Sequence, residues 1–199
     1  MNILLLQENI KNNSLTDLIK PGIDNFDWEK TYLATAEVTN NNINFSAPKI
    51  TYENRESRAN MQPIENSVWF AKMKNSKKIL YFWEYSKEFI EKFILSTWFA
   101  WLKCKANNSL EYIWCNINND YFETLKDRLS NWATQEAINN DAMAFIPLVI
   151  PNDFVLEMFH KKTMAIYKQI YFNQLQNRDL AELRDFLIPM LMNGQVTVK

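Results

Sequence analysis

From Tyr32 to Leu80, short apolar runs rich in aromatic and β-branched residues are broken at close intervals by Asn, Ser and Pro. Tyr32-Leu33-Ala34-Thr35, Ile43-Asn44-Phe45, Ile50-Thr51-Tyr52 and Ser67-Val68-Trp69-Phe70 therefore predict short strands. Between Ser86 and Lys105 the pattern changes: Phe89, Ile90, Phe93, Ile94, Thr97 and Trp98 recur at three- and four-residue spacing, which predicts a helix packed on that sheet. Leu110 to Cys115 predicts another strand, and Tyr121 to Leu129 a short helix. Phe145-Ile146-Pro147-Leu148-Val149-Ile150-Pro151 predicts an extended run, because its prolines exclude helix interior. Upstream, Asn12-Asn13-Ser14 and Pro21-Gly22 predict an irregular lead-in with at most a helical turn, and ordered structure starting near Trp28.

Beyond Pro151 the chain reads differently. Asn152 or Asp153 can cap a helix start, and no Gly or Pro follows until Pro189. A helix of about 36 residues, about 54 Å long, is expected. Phe159, Ile166, Ile170, Leu180, Leu183 and Leu187 form part of its apolar stripe, interleaved with Lys and Arg, and the stripe breaks phase around Gln174 to Asn177. This is an imperfect heptad, suited to burial against another helix. Folding back over its own domain is the alternative. The expected architecture is mixed α/β (α+β): a β-rich domain over residues 1–151, then a long helix and tail over 152–199.

A chain of 199 residues with 47% apolar content can hold one domain with a real core plus an appendage. The formal net charge of −1 argues against a body that holds nucleic acid by bulk attraction, so any such binding must come from local clusters. It also argues against a DNA mimic, which would be far more acidic. The two cysteines, Cys104 and Cys115, suit neither a zinc site nor a disulfide framework, and fit reduced thiols in a cytoplasmic protein. Met1 to Gln7 lacks a basic lead-in and a cleavage site, and the longest apolar stretch, Phe93 to Leu102, is about half a bilayer span, so no signal peptide or membrane anchor is expected. Seven tryptophans are read chiefly as core residues.

Catalytic chemistry is not evident. The two glycines, Gly22 and Gly194, do not open a helix after a strand, which argues against phosphate-cradling or dinucleotide sites and against an intrinsic methyl-donor site. The single histidine, His160, sits within the long helix and is read as solvated or helix-packing. No metal-ligand spacing is present. Two polar clusters remain. Glu53-Asn54-Arg55-Glu56-Ser57-Arg58-Ala59-Asn60-Met61-Gln62 carries Arg and Asn side chains able to make bidentate contacts with guanine and adenine edges. Lys72-Met73-Lys74-Asn75-Ser76-Lys77-Lys78 is a compact basic patch suited to phosphates, or simply a solvated loop.

The same segments carry a family likeness. Tyr32–Val38, Ile50–Pro63 and Ser67–Lys74 resemble the target-recognition domain of type I restriction-modification specificity subunits. Ala133-Thr134-Gln135-Glu136-Ala137-Ile138 is similar to the family's Thr-Gln signature, and Ile146-Pro147-Leu148 with Pro151 to its junction between domain and helix. Leu180-Ala181-Glu182-Leu183-Arg184-Asp185-Phe186-Leu187-Ile188-Pro189-Met190-Leu191-Met192-Asn193-Gly194-Gln195-Val196 resembles its closing segment and is the most specific part of the likeness. Trp132 stands where the family usually has glycine, and the chain has half of the family's two domains and two helices.

The resemblance implies a non-catalytic subunit that reads double-stranded DNA at a bipartite target. Modification subunits would bring S-adenosylmethionine, and restriction subunits would bring ATP-driven chemistry. It also implies a homodimer, or pairing with a second half-subunit, through antiparallel long helices; a helix of the expected length matches about 16 base pairs, enough to space half-sites about one helical turn apart. Arg55, Arg58, Asn60 and Gln135 are then expected at base edges, and Lys72, Lys74, Lys77 and Lys78 on phosphates, with Thr134 beside them. The rival reading is a protein-interaction adaptor that dimerises through its helix.

Overall fold

A computed structural model of the chain describes residues 6–18, 21–130 and 136–195. The elements in order are β1 (Leu6–Asn9), β2 (Thr16–Asp17), β3 (Lys30–Leu33), β4 (Val38–Thr39), β5 (Asn42–Ile43), β6 (Lys49–Ile50), β7 (Ala59–Met61), β8 (Ser67–Ala71), β9 (Ile79–Phe82), α1 (Lys87–Lys92), β10 (Phe93–Ser96), β11 (Phe99–Cys104), α2 (Leu110–Ile117), α3 (Asp120–Ser130), β12 (Pro147–Ile150) and α4 (Asp153–Met192). The chain divides into two compact units, the first running to Thr163 and the second starting at Met164, so the boundary falls inside α4.

Within the first unit, one four-stranded sheet has the order β6-β3-β10-β7 and another the order β2-β11-β8-β9. Strand β8 is central to the second sheet, and all its side chains are buried, as a strand covered on both faces requires. Trp69 and Phe70 fill this core with Phe82, Phe99 and Phe122; Phe70 meets Phe122 edge-on at 5.0 Å. The buried Trp69 indole N–H donates to Ser67 Oγ at 2.8 Å, so the hydrophobic layer leaves that donor satisfied.

Three expectations are corrected here. The predicted helix over Ser86–Lys105 is only the short α1, followed by strands β10 and β11. Phe93, Ile94, Leu95 and Ser96 are all buried, with β10 running parallel to β3 and antiparallel to β7. A strand covered on both faces shows a continuous apolar run, and such a run satisfies helical spacing by accident. The predicted strand Leu110–Cys115 is helix α2, whose Leu110, Ile113 and Ile117 are buried at helical spacing. The lead-in is also more ordered than expected. β1 pairs antiparallel with β12, from Leu6 opposite Ile150 to Asn9 opposite Pro147, and β2 pairs with β11. Asn13 organises the link between β1 and β2: its Oδ1 accepts from the Leu15 and Thr16 amides, and its Nδ2 donates to Thr16 Oγ1. Such local side-chain-to-backbone bonding leaves no hydrophobic periodicity to read.

Helix α4 starts as expected, with Asn152 Oδ1 accepting the Val155 amide at 2.9 Å. Its first turns belong to the first unit. Leu156 is buried, Phe159 lies edge-on to Tyr112 at 6.1 Å, and His160 Nδ1 is 3.0 Å from the buried carboxylate of Glu111. The histidine thus packs α4 against α2, one of the two roles expected for it.

In the second unit the helix runs past Pro189 and totals 40 residues, longer than predicted. A proline one turn from the end forfeits one hydrogen bond, and the helix instead stops at a Schellman motif. The Gly194 amide donates to the Leu191 carbonyl and the Gln195 amide to that of Met190, with Gly194 at φ 67°, a conformation glycine adopts without strain. Ile166, Ile170, Leu180 and Leu183 are exposed and Leu187 is half-buried. Leu180, Leu183, Leu187 and Met190 follow the alternating three-and-four spacing of a helix-pairing seam.

Candidate nucleic-acid interface

The segment linking β6 to β7 is a self-bonded turn. The Thr51 amide donates to Asn54 Oδ1 at 2.7 Å and the Asn54 amide to Thr51 Oγ1 at 3.3 Å. Arg55 is folded onto this turn: its guanidinium lies 3.8 Å from the centre of the Tyr52 ring and donates to the Tyr52 carbonyl. Tyr52 in turn stands edge-on to Phe26. Arg55 is therefore a half-buried brace. Arg58 differs. It is exposed, with its guanidinium over the Trp98 ring at 5.4 Å, and its carbonyl accepts from the amides of Asn60 at 3.0 Å and Thr97 at 2.9 Å. In β7, Ala59 and Met61 point inward and Asn60 outward, as strand alternation dictates.

The Lys72–Lys78 segment joins β8 to β9 and is less free than its sequence suggests. The Lys72 amide donates to the Trp98 carbonyl at 2.9 Å and its ammonium to the Thr97 carbonyl at 2.8 Å. Burial lowers the pKa of that ammonium from the ordinary lysine value. Lys74 is tied to Glu136, amide to carbonyl at 2.9 Å and ammonium to carboxylate at 3.8 Å. Lys77 meets Asp120 at 2.9 Å, and its hydrogen bond holds that carboxyl below the usual carboxylate range. The Lys78 ammonium donates to the Thr35 carbonyl. Asn75 makes the turn at φ 54°, a left-handed conformation that asparagine tolerates, and its amide donates to Asp127. Beneath the turn, fully buried Lys126 donates to the Ser76 carbonyl at 2.8 Å and pairs with Glu123 at 2.7 Å.

The two segments meet at Thr97-Trp98, the turn between β10 and β11. Arg58 and Lys72 both bond to it, whereas Lys74 is tied to Glu136, Lys77 to Asp120 and Lys78 to Thr35. Thr134 and Gln135, immediately before Glu136, lie outside the described residues. Among the described residues, Arg58 is the cation of the two clusters whose N–H donors have no protein acceptor. Trp98 is the residue that sequence reasoning missed. Assigned to a helix face, it was counted as core, whereas the turn makes it half-buried.

Other chemistry is muted. Cys104 is buried, and burial pushes its thiol up to about 12, so it is a packing residue. Among the described residues, no cluster of His, Cys, Asp or Glu is arranged to hold a metal, and no helix is long and apolar enough to cross a membrane.

No family model matches the chain. Over 89 residues, 44% of its length, it is 27% identical to the type I restriction enzyme HindI specificity subunit of Haemophilus influenzae, covering 19% of that protein. Two solved structures share its fold at a TM-score of 0.58. One comes from a study of complex assembly and conformational transition in a type I restriction-modification system, with 14% identity over 98% of this chain and 50% of that one. The other is the HsdS subunit of Thermoanaerobacter tengcongensis, with 13% identity over 92% of this chain and 47% of that one. The chain thus spans about half the length of these structures, and they speak for the fold alone. In sequence over part of its length, and in fold over about half of a solved chain, it is thus similar to specificity subunits of type I restriction-modification systems.

Proposed function

We propose that this chain reads duplex DNA for a type I restriction-modification complex and catalyses nothing itself. Its domain recognises one half of a bipartite target through the surface that carries Arg58 and Asn60. Its long helix pairs with that of a second copy or another half-subunit, supplying the second reading head. At 1.5 Å per residue α4 measures about 60 Å, equal to about 18 base pairs of duplex, room for half-sites one helical turn apart. S-adenosylmethionine belongs on the modification subunits, and ATP on the restriction subunits, which this chain directs to the target.

The observation that carries this reading is the likeness of 98% of the chain to one half of a chain from a type I system. The test is to map methylated adenines in DNA from cells that carry the chain with its modification partner. Two copies related by two-fold symmetry demand an interrupted palindrome. A motif that persists after the chain is deleted refutes the assignment, and a non-palindromic motif replaces the homodimer with a mixed pair.

A further inference from the structure

We propose that Trp98 is a positioning residue for Arg58, holding its guanidinium as the direct reader of a guanine edge. The proposal rests on the DNA-reading function above and adds to it a residue and a base. Arg58 stands at the end of the β6–β7 segment with its backbone fixed: its carbonyl receives the amides of Asn60 and Thr97. The latter bond ties it directly to the turn that carries Trp98. That turn is also braced by Lys72, through its amide to the Trp98 carbonyl and its ammonium to the Thr97 carbonyl. The indole therefore sits on a rigid support, 5.4 Å from the guanidinium carbon of an exposed arginine.

The chemistry follows from what each neighbour takes. An aromatic ring engages a guanidinium through its face and leaves the in-plane N–H donors unused. A carbonyl or carboxylate takes those donors instead, as Tyr52 does for Arg55. Among the described residues no acceptor occupies the donors of Arg58. A planar fork with free donors, already ordered before DNA arrives, matches the paired N7 and O6 acceptors that guanine presents in the major groove. Lysines tied to backbone carbonyls, such as Lys72 and Lys78, offer no such fork.

The experiment uses the full chain assembled with its modification subunits. A randomised duplex pool is bound, recovered and sequenced for the wild type, Arg58→Ala, Trp98→Ala, Trp98→Leu and Trp98→Tyr. Arg58→Ala should lose guanine enrichment at a defined motif position by about tenfold. Trp98→Ala and Trp98→Leu should lose enrichment at that same position, with the other positions and total DNA recovery unchanged. Trp98→Tyr, which keeps a π-face, should retain it. Trp98→Leu fills the space without the ring, so it separates positioning from packing and stands in should Trp98→Ala fail to assemble. Loss at all positions alike, loss at a position Arg58→Ala leaves intact, or no change in either Trp98 truncation overturns the proposal. A wild-type complex that enriches no motif overturns the DNA-reading function itself, and this inference with it.

Discussion

Lys72 and Lys77 are five places apart in one basic run, yet their environments assign them different work. Lys77 pairs with Asp120, whose side chain is almost fully exposed, and such surface pairs contribute little, so a phosphate can take the place of the carboxylate. Lys72 is half-buried and bonded to a backbone carbonyl that has no other donor of comparable charge. Binding measured across a salt series should therefore separate them: Lys77→Ala lowers the salt slope by about one, whereas Lys72→Ala leaves the slope unchanged and lowers the unfolding midpoint. Equal slopes for wild type and Lys77→Ala would remove Lys77 from the phosphate contacts. Residue types alone mark both polar clusters as candidates. What they could not separate was Arg55 from Arg58, because the difference lies in whether Tyr52 supplies a carbonyl or Trp98 supplies a ring.

Among the elements, α3 is held to the β8–β9 connection by a buried lysine. Lys126 is fully buried, and its ammonium bridges Glu123 and the Ser76 carbonyl. Burial raises the Glu123 carboxyl pKa, outweighing the opposite pull of Lys126, which marks how little water reaches this pair. Removing one partner of a buried pair strands the other, so Lys126→Ala should destabilise the domain by about 3–5 kcal/mol in urea unfolding. A loss under about 1 kcal/mol would mean that water reaches Glu123 freely. Helix α3, which buries one face, was located to within a few residues, as were strands β3 and β8, whose runs are bounded by Asn, Ser and Pro. The buried run after α1 was not. Phe93 to Leu102 satisfied a helical period while forming β10 and β11, and no spacing rule separates the two when polar positions are missing. Trp98 was lost with them, since its importance depends on a turn that the misread helix left no room for.

For the molecule as a whole, the seam of exposed Leu180 and Leu183 with half-buried Leu187 is the feature on which the proposed pairing depends. Leu183 is 51% exposed, so replacing it barely disturbs the chain's own core. Leu183→Glu should convert a dimer to a monomer in sedimentation velocity and abolish methylation of the bipartite motif. A dimer that survives the substitution would move the pairing surface elsewhere. That strands give way to a long helix was legible, because Pro147 and Pro151 mark a change of period. The partnership of β1 with β12 was not, since Leu6-Gln7-Glu8-Asn9 carries no strand signature of its own and is a strand by virtue of its neighbour. That pairing has a bearing on biosynthesis. The opening strand leaves the ribosome with its hydrogen-bonding partner still untranslated, and closing so long a loop is slow. Until Pro147–Ile150 emerges, Leu6–Asn9 has no strand to pair with, and the domain is completed only as the helix begins to be made.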